Sequence, residues 1–241
     1  MDLYYEIFSK CKQQGPGSKE SSLRAFELTG LGTDISVLDI GCGTGRQSVD
    51  LASHGIKEIM AIDDSDLFID TLNKKGIESI TAETISMFNL PYQENSFDLI
   101  WSEGAIYHLG FEKGLTTTRP LLKNDGVLAL SEVSYLRRDV PEECRSFWEE
   151  DYPEINTVPE KIKSVEKCGY SFKGCFVLPE ADWIKNYYEP FFKVLAEYKE
   201  KLPDNREIRA IESEISSEFE FYKKYKKYYG YVFYILTRWT E

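Results

Sequence analysis

Short apolar runs alternate with amphipathic stretches through the first half of the chain. Ser36–Ile40, Glu58–Ile62, Ser79–Thr81, Ser96–Trp101 and Val127–Val133 read as strands. Between them the pattern predicts a helix at about Arg46–His54, stopped by Gly55, and a second capped by Ser65 and ending at Gly76. A third, at about Phe111–Lys123, leads through Asn124-Asp125-Gly126 into the next strand. Glycine just past a periodic stretch is a common left-handed stop. Strands this apolar, separated by helices, indicate an α/β fold with a parallel sheet covered on both faces.

The second half has a different texture. Ser134–Thr157 is acidic and aromatic and shows no strand pattern. A helix is expected near Pro159–Cys168, then a strand at Ser171–Leu178, then helices at about Ala181–Glu200 and Arg206–Tyr228. In the last of these, Ile208, Ile211, Ile215, Phe219, Tyr222 and Tyr225 step by three or four and define one apolar face. Its acids precede its lysines, which complements the helix dipole, so Lys223–Lys227 reads as helix-end charge. Tyr231–Leu236 is the closing strand. There is no internal repeat and no linker that would divide the chain.

Composition narrows the partners. With 241 residues, of which 42% are hydrophobic and 29% charged, the chain can bury a sizeable core. Forty-one acids against 29 bases give a charge of −12, a field that repels phosphate backbones and anionic lipid. Nucleic acid and membrane are therefore not expected as partners. The cysteines (Cys11, Cys42, Cys144, Cys168 and Cys175) form no C-x-x-C pair, and the histidines are only His54 and His108. No metal-ligand spacing can be assembled, and free thiols in a reducing cytoplasm are expected. Met1–Glu6 carries neither the basic nor the apolar region of a signal peptide, and no apolar run approaches the ~20 residues of a membrane span.

The strongest motif is Val37-Leu38-Asp39-Ile40-Gly41-Cys42-Gly43-Thr44-Gly45, a strand running into alternate glycines and then a helix. Glycines suit a sharp turn that a ligand approaches closely. Asp63 follows at the end of the next strand, near the spacing at which an acid meets ribose hydroxyls. The dinucleotide pattern G-x-G-x-x-G would need glycine at position 46, where Arg46 stands.

With Asp39 ahead of it, this segment resembles motif I of the class I S-adenosylmethionine-dependent methyltransferases. Ser86–Tyr92 with Ser96-Phe97-Asp98, the Trp101–His108 stretch and Leu121–Gly126 are similar to further motifs of the type 11, ubiquinone/menaquinone-biosynthesis-like group. The resemblance implies a Rossmann-like, doubly wound, mostly parallel seven-stranded sheet with helical insertions as a cap. Within one domain, residues 1–30 would form an N-terminal lid and first helix, 31–133 the cofactor-binding core, and 134–241 the cap helices and last strands.

It implies S-adenosyl-L-methionine as cofactor, with Asp39, Gly41, Cys42, Gly43, Thr44, Gly45 and Gln47 forming its loop. Asp63 and Asp64 would take the ribose, Ser86 and Met87 the adenine, and Ser102 and Gly104 the strand-four side, with Gly17 in the lid. On turn chemistry alone, Gln14–Ser18 is equally a plain turn. Two positions depart from the group: Ser86 stands where an acid is usual, and Arg46 where a small residue is frequent. Arg46 either reaches the cofactor carboxylate or faces solvent.

Glu103, Tyr107 and His108 leave strand four, the part of an open α/β sheet that faces the ligand crevice. Glu103 and His108 are the candidates for acid–base work, with Tyr107 orienting them. Among Tyr4, Tyr5, Trp148, Tyr152, Trp183, Tyr187 and Tyr188, most are expected in the core and some above an apolar acceptor pocket. The expected function is methyl transfer to a small molecule, a cationic acceptor gaining weight from acidic and aromatic walls. The chain would be a monomer or homodimer. The alternatives are an NAD(P)-dependent oxidoreductase and a non-catalytic S-adenosylmethionine-binding interaction protein.

Overall fold

A computed structural model describes residues 3–239; the outermost positions of the expected lid and closing segment lie outside the described residues. Seven strands form one sheet: β1 (Ser36–Ile40), β2 (Glu58–Asp63), β3 (Ile80–Thr84), β4 (Phe97–Glu103), β5 (Leu122–Tyr135), β6 (Tyr170–Val177) and β7 (Tyr229–Arg238). Their order is β3-β2-β1-β4-β5-β7-β6, with β1 to β5 parallel and β7 antiparallel to both β5 and β6. The order reverses between β1 and β4, where ligands of such sheets bind beyond the strand ends.

Alternation along the strands sends apolar side chains to both faces. Val37, Leu99, Trp101, Ala129 and Phe233 join one buried cluster, and Leu38, Ile40, Ile100, Leu128 and Val232 the other. The helices cover these faces: α1 (Leu3–Lys10), α2 (Lys19–Thr29), α3 (Arg46–Ser53), α4 (Asp66–Asn73), α5 (Phe111–Thr118), α6 (Glu142–Asp151), α7 (Val158–Lys167), α8 (Glu180–Trp183), α9 (Glu189–Lys201) and α10 (Arg206–Tyr225). Among the described residues no helix is long and apolar enough to cross a membrane.

The structure differs from the sequence reading at identifiable points. The stretch 134–157, which shows no strand pattern, contains the helix α6, for which the sequence reading gives no bounds, while α1 has no sequence signal strong enough to announce it. Pro120 stops α5 at Thr118, and Arg119–Leu121 tightens into a 3-10 turn. The expected helix 181–200 is interrupted by a π turn at Ile184–Tyr188. Pro190 explains it: proline has no N–H to donate and would collide with the carbonyl four residues back, so the backbone widens there. The turn Asn124–Gly126 lies inside β5 as an irregularity, with Asp125 at φ 62° and the β4 register shifting beside it.

Candidate active site

The site begins where β1 ends. Asp39 is fully buried and accepts hydrogen bonds from Ser48 Oγ at 2.5 Å and Gln47 Nε2 at 3.3 Å. Burial pushes its carboxyl up to about 7; the Ser48 bond opposes the rise and the charge of Glu103 adds to it. Gln47 also reaches the Gly41 carbonyl at 3.5 Å, so α3 fixes both the acid and the turn that follows it.

The glycines serve the packing of the protein around the loop. A Cβ at Gly41 (φ 71°) would stand 2.3 Å from the Ala105 Cβ, so the turn presses on the chain leaving β4. At Gly45 (φ 83°), which precedes α3, a Cβ would stand 2.3 Å from Leu72 of α4. The expected ligand approach is therefore left to the backbone of 41–44. Cys42 is buried, and burial pushes its thiol well above the usual range, which leaves it without nucleophilic chemistry.

Asp63 reaches across from β2. Its Oδ2 accepts the Gly43 N–H at 2.8 Å and its Oδ1 the Ser65 N–H at 3.0 Å. Burial raises its pKa, and these N–H donors oppose the rise. Each oxygen keeps a further lone pair, and the residue is half-exposed, so the carboxylate can accept from a diol beside the loop. Asp64 is exposed. After β3, Ser86 is exposed and accepts from the Phe88 N–H at 3.4 Å, while half-buried Met87 lies 3.7 Å from the place of a Gly41 Cβ.

The N-terminal segment closes over the loop. Gln14 Oε1 accepts the Thr44 N–H at 2.9 Å, and its Nε2 donates to Thr44 Oγ1 at 3.2 Å and to the Phe8 carbonyl at 3.0 Å. A Cβ on Gly43 would stand 2.2 Å from that Oε1. Gly17 sits where a side chain would strike Arg46 and Glu103. Helix α1 anchors the segment, with Phe8 and Phe191 rings 4.7 Å apart and Tyr198 donating to Glu6 at 2.9 Å.

Arg46 faces neither solvent nor an open crevice. It is 5% exposed, pairs with Glu103 through Nη2, and donates from Nη1 to Asp50 at 3.0 Å and Ser22 at 2.8 Å. Glu103 also accepts from Ser22 Oγ at 2.6 Å and Trp101 Nε1 at 2.9 Å. Ser102 donates to the Ile40 carbonyl at 3.0 Å, tying β4 to β1.

Beyond Gly104 (φ 62°) the chain enters a 3-10 turn at Ile106–Leu109. Tyr107 and His108 rings stack at 4.1 Å, and His108 is exposed. Burial lowers the His108 pKa while the charge of Asp64, across the crevice, opposes the fall.

Opposite Gly104 stands Tyr231 of β7, whose hydroxyl would lie 3.4 Å from a Cβ placed there. Tyr231 and Tyr187, from the π turn, are each 8% exposed, and no described residue hydrogen-bonds to either hydroxyl. Burial raises both phenols well above 10, and the charge of Glu218 on α10 raises both further. Tyr107 is pushed up to about 12 by burial, then by Glu132 and Glu218. Glu218 itself accepts from the Tyr188 hydroxyl at 2.6 Å. Behind Tyr107, Glu132 of β5 is fully buried and accepts from Lys161 Nζ at 3.1 Å, while its Oε2 has no hydrogen-bond partner among the described residues. Lys161 also donates to the Tyr152 hydroxyl at 3.0 Å.

The structure thus gathers Asp39, the 41–45 loop, Gln47 and Asp63, with Met87 and Gly17 at the margin, and leaves Asp64 and Ser86 exposed. It adds Gln14, Ser22 and Arg46 around the loop, and Glu132, Glu218 and Tyr231 around the far wall. In the sequence Gln14 opens the turn weighed as a lid, and Glu218 counts only among the acids that precede the lysines of its helix.

Known proteins resemble the chain in sequence and in fold. Residues 38–130 match a family model described as a methyltransferase domain. An uncharacterized methyltransferase-like protein of Schizosaccharomyces pombe is 24% identical over 182 residues, 69% of each chain. A probable S-adenosylmethionine-dependent methyltransferase of Saccharomyces cerevisiae is 27% identical over 146 residues, 58% of this chain and 44% of its own length. A crystal structure of an S-adenosylmethionine-dependent methyltransferase from Geobacter sulfurreducens, in complex with S-adenosyl-L-homocysteine, superposes with a TM-score of 0.83 at 18% identity, over 97% of this chain and 96% of that one.

Proposed function

We propose that the chain, whose fold is that of the class I methyltransferases, uses S-adenosylmethionine to methylate a small molecule held between the β4 exit and the helices of residues 180–225. The observation that carries this reading is the wall opposite Gly104. Tyr187 and Tyr231 are almost wholly buried there, which suits an enclosed acceptor better than a polymer lying across a surface groove.

The cofactor fits the residues present. Asp63 would take the ribose hydroxyls, the 41–44 backbone the amino-acid end, and Met87 one face of the adenine, with the Gln14–Gly17 turn as lid. When bound, S-adenosylmethionine supplies an activated methyl on a sulfonium. The chain's own contribution is then mainly to hold the acceptor in line and exclude water. Glu103 is buried and held by Arg46, Ser22 and Trp101, so it is read as a positioning residue that fixes α3 and the lid against β4. His108 keeps an uncommitted ring and is neutral at pH 7, so it is the group able to take a proton from an acceptor that carries one.

The test is methyl-labelled cofactor supplied to a metabolite extract, with mass detection of products and parallel incubations with tRNA, DNA and protein. Label in a small molecule is expected. Equal or faster label transfer into a polymer at physiological salt overturns the reading.

A further inference from the structure

Three features outside the cofactor loop remain to be used: the surface hollow lined by Trp183, Tyr222 and Lys226, the buried Lys161–Glu132 pair, and the phenol wall under Glu218. Lys226 in the hollow is already paired with Glu180, and nothing there selects an occupant. The Lys161–Glu132 pair is closed on itself, apart from one carboxylate oxygen. The phenol wall goes further.

Resting on the small-molecule reading above, we propose that the acceptor is an amine, recognised by Tyr107, Tyr187 and Tyr231 with Glu218 as the counter-charge. Four observations support this class. The Tyr231 hydroxyl stands opposite Gly104, at the strand-four exit where the acceptor is placed. Tyr187 and Tyr231 are each 8% exposed, and their hydroxyls, which no described residue engages, are not sealed in the core, so a ligand can reach them. Tyr188 holds only one Glu218 oxygen, Oε1, leaving the other for a ligand donor. Glu132 places a second carboxylate behind Tyr107; Lys161 holds its Oε1, and its Oε2 has no hydrogen-bond partner among the described residues. Aromatic faces and carboxylates together favour a cationic nitrogen over a neutral hydroxyl and repel an acid.

In the transfer, the amine nitrogen donates its lone pair to the methyl carbon. The new N–C bond forms as the S–C bond breaks, and that electron pair leaves on the sulfur of S-adenosylhomocysteine. Bound as its ammonium, the amine first gives one proton through His108 to solvent, which frees the lone pair; a primary or secondary amine then leaves as the more substituted ammonium and a tertiary amine as a quaternary ammonium, one proton being shed in each case.

Calorimetry on protein saturated with S-adenosylhomocysteine decides the matter. The probes are alkyl and aryl-alkyl amines, each beside its alcohol isostere, phenethylamine and phenethyl alcohol among them. The amines are expected to bind at least about 10-fold more tightly, and Glu218→Gln to erase that preference while S-adenosylhomocysteine affinity is kept. Tyr187→Phe and Tyr231→Phe, which keep the rings, should each weaken amine binding severalfold. Alcohols binding as well as amines, an unchanged preference in Glu218→Gln, or no amine binding at all overturns the inference. If labelled methyl then enters a neutral metabolite, small-molecule transfer stands without it; label confined to polymers removes both.

Discussion

Arg46 and Glu103 lie 57 positions apart and meet as an ion pair whose side chains are each 4% exposed. The pair joins the first turn of α3 to the end of β4, and the lid glycine, Gly17, rests directly on it. Removing one partner from such a site strands a buried charge, whereas removing both does not. Arg46→Ala should therefore lower unfolding free energy by about 3–5 kcal/mol, and Arg46→Met with Glu103→Gln by much less. Urea titrations of the two variants check this, and a loss in the double variant as large as that in Arg46→Ala would show that the charges are not coupled.

In the proposed cofactor site Asp63 would act in two ways, as a ligand of the ribose and as the acceptor that holds Gly43 in place. A charge-assisted bond of about 1.5–3 kcal/mol corresponds to roughly a 10- to 150-fold loss, expected for S-adenosylmethionine affinity in Asp63→Ala. Calorimetry should find the loss in the cofactor with the fold intact. Tight NADH binding and no response to S-adenosylmethionine would contradict the assignment at its root.

Asp39 makes stability depend on pH. Its carboxyl titrates at about 7 in the folded chain against 3.8 when free, so the folded state holds a proton the unfolded state has lost between those values. Stability contributed by this group is therefore present below pH 4 and is lost as pH rises towards 7, by an amount on the order of 2–4 kcal/mol. Asp39→Asn should flatten that slope. Parallel curves for the two proteins from pH 4.5 to 7.5 would refute the shift.

His108 should shape the pH profile of catalysis. With its pKa held below 6.5, the ring is neutral at pH 7, and kcat should climb to a plateau below that pH. His108→Ala is expected to remove this limb and to reduce kcat by about 100-fold for an acceptor that loses a proton, with cofactor affinity unchanged. An unaltered profile would reduce His108 to a surface partner of Tyr107.

The Lys161–Glu132 pair tests the wall behind the acceptor. Lys161→Met alone should cost about 3–5 kcal/mol, and Lys161→Met with Glu132→Leu should recover most of it. Differential scanning calorimetry gives both values. A double variant no better than the single one would mean that Lys161 contributes by packing against Phe111, 4.3 Å from its ring, rather than by charge.

The parallel strands were legible because each is a dense apolar run, and the loop because glycines and Asp39 sit at fixed spacing in it. Asp63 was legible for the same reason, being local to a strand end. What escaped were contacts made by chain closure. Gln14 meets Thr44, Ser22 meets Glu103, and Glu218 acts on Tyr231, and nothing within a short window of sequence couples those pairs. The glycines were found for a reason that proved incomplete: they were read as room for a ligand, yet Gly41 and Gly45 make room for Ala105 and Leu72. The π turn had its signal in Pro190, which was overlooked within an otherwise helical pattern.

The place of β7 in the sheet bears on how the chain is made. This strand lies between β5 and β6, yet it is synthesised after both, and after all ten helices. A growing polypeptide therefore presents the long outer edge of β5 unpaired while translation continues through the cap, and an open apolar edge invites association with other nascent chains. Tyr231 arrives with the same strand, so a partly made chain holding the whole glycine loop still lacks one wall of the proposed acceptor site, which is completed only when β7 closes the sheet.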